Sequence, residues 1–331
     1  MVITTPDTEL REAYQHAQTG CVMVKRDALG YIWTHGRDRL DLMHRLSTND
    51  LLDMSVHEVK STVLTNPIGR TVDYLIILNL DNKSLIITSP GKSDVVSKWI
   101  MKYIFFQDDV TLQVSDEHLV QTGLYGPKSH EVVNKIAPGF STLSHNQVVT
   151  ISDSTWIIRV PPPGGIGYEI VSDPTTTQDL LEMAQTAGAV NSPSSLYELL
   201  RIEAGLPGAG HEIDSSNIPL EIGLRDAISF TKGCYTGQEI IARLDSRRKL
   251  AKALVGLLSS DKIPIDATLK APDGSSGVVT SSTYSPNLGW IGLGLVKPTV
   301  CGPGTTLSVT KDGFLGSASV SALPFKSHLP A

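Results

Sequence analysis

The chain has 331 residues, 40% apolar and 19% charged, with a net charge of -6. That length supports a sizeable core divided into two or three packed units, and the acidic balance argues against general affinity for nucleic acid or anionic membrane. No run reaches the roughly 18 apolar residues of a membrane helix, and the start lacks a basic-then-apolar signal pattern. The three cysteines, Cys21, Cys234 and Cys301, are odd in number and far apart in sequence. A disulfide framework is therefore not expected, and a cytoplasmic location, or a mature organellar form, fits best.

Two β-like runs, 21–25 and 31–35, flank Arg26-Asp27-Ala28-Leu29-Gly30, which reads as a hairpin or tight loop. A helix should follow with Asp38 as its cap and Leu40, Leu42, Met43 and Leu46 facing inward. Residues 61–66, 71–79 and 84–88 read as an antiparallel meander turned at Asn66-Pro67-Ile68-Gly69 and Asp81-Asn82-Lys83. Ser93 to Phe106 has helical periodicity, with Val95, Val96, Trp99, Ile100 and Ile104 inward. β-Runs near 110–114 and 119–124, a helix from Gly126-Pro127 to about Ile136, and a β-pair at 147–151 and 155–160 come next.

Pro161 to Gly165 is a stiff break before a strand through Gly167-Tyr168-Glu169-Ile170-Val171. Helices are expected from about Thr177 to Gly188 and from Ser195, with Glu198 as a capping-box partner, to Gly205. Gly208-Ala209-Gly210 follows a helix rather than a strand, so it is not a dinucleotide fingerprint. Beyond Arg248-Lys249, β-runs at 250–258, 276–282, 290–297, 305–309 and 315–321, separated by Pro, Gly and Ser clusters, predict a small β-barrel. The division is thus an α+β core over 1–248 and a barrel domain over 249–331.

Lys232-Gly233-Cys234-Tyr235-Thr236-Gly237-Gln238-Glu239 concentrates more chemistry than any other stretch. Thr236 with Glu239 has capping-box form, and Ile240, Ile241 and Leu244 follow at helical spacing, so a helix should begin at about Thr236. Cys234 would then lie just ahead of a helix N-terminus with Lys232 two residues away, and both would favour thiolate. The alternative for Cys234 is a buried cysteine in a turn. No C-x-x-C or H-E-x-x-H spacing occurs, so no metal site is expected.

The Lys232 to Glu239 stretch, ending in Arg243, resembles the signature of the YgfZ family of folate-binding proteins, which includes the mitochondrial iron–sulfur assembly relative. The resemblance implies an aminomethyltransferase-like fold: a folate-binding core of two interleaved α/β subdomains with a C-terminal β-barrel. It also implies tetrahydrofolate as cofactor and iron–sulfur client or assembly proteins as partners. A pterin presents ring N–H donors, for which a buried carboxylate is the natural partner. Glu169, on its Gly-x-Glu-Ile strand, is similar in motif to the aminomethyltransferase's pterin-binding glutamate. Asp73, in Gly69-Arg70-Thr71-Val72-Asp73-Tyr74, is similar to the first of that enzyme's aspartate pair, the second being replaced here by Tyr74. Each acid could instead be an ordinary strand residue.

Asn66 and Tyr168 are candidate pocket walls, and Arg201, in a segment similar to the family's Arg-x-Glu-x-Gly, could grip a ligand carboxylate or form an ion pair with Glu203. Arg243, Arg247, Arg248 and Lys249 read first as a solvated basic turn and second as a contact for a polyglutamylated folate tail. Cys234, Lys232 and Asp73 are the catalytic candidates. Three functions fit these residues: a tetrahydrofolate-binding accessory protein for iron–sulfur enzymes with a reactive thiol, a tetrahydrofolate-dependent one-carbon transferase, and a docking module that binds no folate.

Overall fold

The computed structural model describes residues 8–26, 28–115, 119–138, 145–159 and 167–325. Pro161 to Gly165 lie outside the described residues. An opening helix, α1 (Thr8–Thr19), leads into β1 (Val22–Arg26), and the next strand is β2 (Gly30–His35). These two do not form the expected hairpin. β1 joins one sheet and β2 another, so the short connection around Ala28 carries the chain from sheet to sheet.

The second sheet is built next. α2 (Arg39–Leu46), the meander β3 (Val59–Thr65), β4 (Thr71–Leu80) and β5 (Lys83–Thr88), then α3 (Ser93–Met101) and β6 (Thr111–Val114) give five strands in the order β3-β4-β5-β2-β6. The chain then returns to the first sheet through β7 (Val120–Tyr125), α4 (Ser129–Ile136), β8 (Gln147–Ser152), β9 (Thr155–Arg159), β10 (Gly167–Ser172), α5 (Pro174–Thr186) and β11 (Val190–Ser192), completing the order β11-β1-β7-β10-β9-β8. Strand β1, made early, sits between strands made late, which is the interleaving expected. After α6 (Ser195–Glu203) and α7 (Gln238–Arg247), six strands close a barrel: β12 (Ala253–Ser259), β13 (Thr268–Lys270), β14 (Ser276–Ser285), β15 (Gly289–Val296), β16 (Thr306–Lys311) and β17 (Phe314–Ser321). β13, with three residues, is too short to stand out in the sequence.

Each sheet uses its two faces differently. One face of the first sheet packs Met23, Leu124, Tyr168 and Ile170 against α4 and α5, and one face of the second packs Leu64, Leu75 and Ile77 against α2 and α3. The opposite faces meet each other through Tyr31, Leu78, Leu85, Trp156, Ile158 and Val171. A third contact layer joins Val22, Val24 and Tyr125 to α6 and to Ile291 and Leu293 of the barrel. The site lies at the junction of these three units.

Two expected side-chain caps do not form, because the side chains have other partners, and the bounds of two further helices differ from expectation. Asp38 flanks α2 without bonding its amides and instead accepts from the backbone N–H of Asp109. α5 begins at Pro174, capped by Asp173, which accepts from the amides of Thr175 and Thr176 at 3.0 Å. α6 makes no capping box, because Glu198 turns to Arg201 instead of the helix start. α3 stops at Met101, and Val95, expected inward, is half exposed.

Arg201 is held by partners within the protein. Only 2% exposed, it binds Glu198, the fully buried Glu212, the Ser281 hydroxyl of β14 and the Leu206 carbonyl, clamping α6 and the 208–213 loop onto the barrel. Gly208 is glycine because a Cβ there would lie 2.6 Å from the guanidinium carbon. Nor does Arg201 pair with Glu203, which takes hydrogen bonds from Tyr14 of α1 and Ser285 of β14. Arg201→Met should leave Glu212 as an uncompensated buried charge and cost about 3–5 kcal/mol, measured as a fall in the urea midpoint at unchanged slope.

Candidate functional site

The inner face of the first sheet carries one polar cluster. On β10, alternation puts Tyr168 and Ile170 on the helix-facing side and Glu169 and Val171 on the inner side. Glu169 is 3% exposed and takes three donors: the Tyr125 hydroxyl at 2.5 Å and Arg26 Nη1 at 3.3 Å on Oε1, and Gln121 Nε2 at 3.0 Å on Oε2. Gln121, Gly123 and Tyr125 alternate along β7, and Gly123 is opposite Glu169 in register. A Cβ on Gly123 would lie 2.1 Å from the Tyr125 ring, so only glycine lets that ring fold back over the strand to reach the carboxylate. Arg26 stacks 3.4 Å from the ring centroid of Tyr197 on α6, and Tyr197 lies 6.3 Å from the Tyr125 ring.

This arrangement is a buried charge pair wrapped in phenols, the form in which a buried carboxylate is tolerable. Burial first, and then the Glu169 charge, raises the Tyr125 pKa well above that of a free phenol, so Tyr125 stays a donor. Of these partners, sequence reasoning named none as a site residue. Arg26 falls in a segment with the pattern of a loop, and the Gln121-x-Gly123-x-Tyr125 alternation is the available signal.

The expected aspartate is elsewhere. Asp73 shares a face of β4 with Leu75 and Ile77, against the α2 and α3 layer, and its Oδ2 accepts from the Ser89 amide at 3.0 Å. Burial raises its pKa, opposed by the Ser89 bonds. Tyr74, one residue on, points the other way, toward the junction, and packs with Ile213, Ile222 and Leu295. Thus Tyr74 faces the junction, and Asp73, whose Oδ1 is buried without a hydrogen-bond partner, lies on the other side of β4. Burial raises the Tyr74 pKa as well, leaving a neutral hydroxyl.

The two candidate pocket-wall residues lie apart from Glu169. Tyr168 lies in the core under α4 and α5, on the opposite face from Glu169. Asn66 Oδ1 accepts from the amides of Ile68 and Arg70, which makes it a turn former at the β3–β4 connection.

The Lys232 to Glu239 segment packs on that connection. Gly237, at φ +84°, lies so close that a Cβ would be 2.6 Å from the Asn66 carbonyl oxygen, and the Thr65 hydroxyl donates to the Thr236 carbonyl. Gly237 is the flanking residue of α7, which begins at Gln238, so the Thr236 to Glu239 capping box does not form and Cys234 is not at the helix start. Lys232 is turned away from the thiol. Its ammonium donates to the carbonyls of His44, Ser47 and Asn49 at the C-terminal end of α2, 5.1 Å from the Tyr235 ring centroid. Burial lowers its pKa to about 8. Cys234 itself is exposed, against the alternative of a buried turn cysteine. Arg243, Arg247, Arg248 and Lys249 are all exposed around the end of α7.

Two interleaved sheets and a closed barrel meeting at a buried polar cluster define a protein of the aminomethyltransferase fold. The chain belongs to the glycine cleavage T-protein family: residues 6–232 match the GCVT N-terminal domain and residues 252–326 the glycine cleavage T-protein C-terminal barrel domain. It is 28% identical to the aminomethyltransferase of Geobacillus kaustophilus over 96% of this chain and 90% of that one. A chloroplastic protein of Arabidopsis thaliana bearing the name "Putative transferase" is also 28% identical, over 97% of this chain and 75% of that one. The crystal structure of glycine cleavage system aminomethyltransferase T from Bartonella henselae superposes with a TM-score of 0.86 at 21% identity, over 96% of this chain and 89% of that one. Among the described residues, no helix is long and apolar enough to cross a membrane.

Lys232→Met would leave three carbonyls without their charged donor and should cost about 2–3 kcal/mol in urea unfolding. The thiols should separate by exposure: a maleimide should label Cys234 in the native protein, whereas Cys21, buried and with its pKa pushed up to about 12 by that burial, should label only after denaturation. Mass spectrometry of the labelled peptides reads both.

Proposed function

We propose that this protein binds tetrahydrofolate at the junction of its three units and transfers a one-carbon group to or from it. The carrying observation is Glu169, a buried carboxylate on the inner face of a Gly-x-Glu-Ile strand. Its Oε2 holds a single donor, Gln121, and so keeps acceptor capacity for a ring N–H. The residues present therefore fit a pterin edge, and full-length similarity to aminomethyltransferases supports the same reading. Bound tetrahydrofolate would supply the nitrogens that carry the one-carbon unit.

In this reading Glu169 holds and orients the pterin, Arg26 balances its charge, and Tyr125 and Tyr197 keep the site dry. Tyr74 stands where the aminomethyltransferase motif has a carboxylate. A phenol held neutral by burial donates a hydrogen bond where a carboxylate accepts one, so in the reaction proposed the folate nitrogen is assisted by a hydrogen-bond donor. Asp73, facing the helices, acts through the placement of β4. The exposed basic residues at the end of α7 offer a contact for a polyglutamate tail.

A second reading is favoured by one observation, the exposed Cys234 within a Lys-Gly-Cys-Tyr-x-Gly-Gln-Glu segment. It is a YgfZ-type accessory role, in which folate binding and the thiol together serve iron–sulfur enzymes. Titration with tetrahydrofolate, followed by calorimetry, tests what the two readings share. Wild type and Cys234→Ala should bind alike, and Glu169→Gln should bind at least about ten-fold more weakly, some 1.4 kcal/mol. Failure of the wild type to bind would remove both readings. Formation of methylene-tetrahydrofolate from an aminomethyl donor, with the amine released as ammonia and the reaction unchanged in Cys234→Ala, is the result expected of the transferase. Its absence, with loss of iron–sulfur enzyme activity in cells carrying Cys234→Ala, would transfer the assignment to the accessory role.

A further inference from the structure

We propose that Gln121 is a specificity-determining residue of this site, selecting heterocycles that carry an exocyclic amino group next to a ring N–H. The inference rests on the folate reading above and extends it from the class of ligand to the part of the ring that is read.

Gln121 is 2% exposed and sits on β7, opposite Arg26 on one side and Val171 on the other. Its Nε2 donates to Glu169 Oε2 at 3.0 Å. That bond fixes the amide: the flipped orientation would set a carbonyl oxygen against a carboxylate oxygen. Oε1 is consequently turned away from Glu169, and it is buried without a hydrogen-bond partner. Nine buried side-chain atoms among the described residues lack a hydrogen-bond partner, Asp73 Oδ1 also among them, so it is the position of Oε1 and not its burial alone that sets it apart. Here the orphan belongs to a direct partner of the carboxylate at the candidate site. Structural support of Glu169 accounts for Nε2 but gives Oε1 nothing to do.

Glu169 Oε2 and Gln121 Oε1 are acceptors at the two ends of one hydrogen-bonded amide. The amide bridges them, so their spacing is set by one side chain. The complementary ligand edge has two adjacent donors and no acceptor between them. A 2-amino-4-oxo pyrimidine ring has that edge, with N3–H for the carboxylate and the 2-amino group for the amide oxygen. A ring with oxygen or hydrogen in place of the amino group would leave Oε1 unsatisfied, and sites built to hydrogen-bond a group reject analogues that lack it.

Three probes decide the matter: 6-methyltetrahydropterin, its 2-desamino analogue and its 3-methyl analogue, titrated against wild type, Gln121→Met and Gln121→Asn. Wild type should prefer the parent over both analogues by about ten-fold or more. Gln121→Met should lose the preference over the 2-desamino analogue and keep the preference over the 3-methyl analogue, which depends on Glu169. Gln121→Asn, a smaller change that holds the fold if the methionine variant does not, should lose part of the first preference only. Equal erosion of both preferences would make Gln121 a mere support for Glu169 and overturn the proposal, as would an undiminished 2-amino preference in both variants. A wild type that binds none of the three pterins would instead bring down the folate reading, and this inference with it.

Discussion

A β-strand can show only every second residue to the same side, and in this protein that constraint decides which polar side chains face the junction of the three units. On β10 it sends Glu169 inward and Tyr168 into the helical layer. On β4 it sends Tyr74 inward and Asp73 outward. Two acids that look equivalent in sequence therefore differ in kind. One sits among Arg26, Gln121 and Tyr125, and the other is tied to the amide of Ser89. A one-residue shift in the register of either strand would exchange these roles, and the apolar neighbours Leu75, Ile77, Ile170 and Val171 fix the register against that shift.

Glu169 also shows how the interleaved order of strands produces a site. Its partners come from β1 and β7, separated from it by the whole second sheet in one case, and the cluster is closed by Tyr197 from α6. Burying such a carboxylate is costly unless charge and hydrogen bonds are supplied together. Arg26 supplies the charge, and its stacking on Tyr197 holds the guanidinium flat against the junction. The acid is thereby kept in a dry place with one oxygen only partly used, which is the state in which it can recognise a ligand.

Much of the architecture was legible because it rests on local pattern. The meander, the α4 and α5 periodicities and the short barrel strands follow from alternation, helical spacing and Pro, Gly and Ser punctuation. The hairpin expected around Ala28 failed because nothing local distinguishes a turn within a sheet from a crossing between sheets. Capping boxes at Thr236 and Ser195 failed because Glu239 and Glu198 had no obligation to the helix start once other geometry was available. In the site, Glu169 was legible through its motif, whereas Arg26, Gln121, Tyr125 and Tyr197 became neighbours only through tertiary folding. Arg201 misled for a related reason: a buried arginine in a ligand-like motif can be satisfied entirely by its own protein.

The Lys232 to Glu239 segment gains meaning from the same distinction between residues that hold and residues that act. Lys232 is spent on the carbonyls at the end of α2, Tyr235 packs with Ile218, Ile228 and Ile241, and Gly237 fits against the Asn66 turn. Each of these anchors the segment to a different piece of the core. Cys234 lies between two of the anchors and is exposed. A loop pinned on both sides of an exposed thiol restricts where that sulfur can go without covering it, so the segment works as a mount. The helix terminus and the ammonium that the sequence pattern put beside Cys234 are engaged elsewhere, the one beginning at Gln238 and the other on the carbonyls at the end of α2.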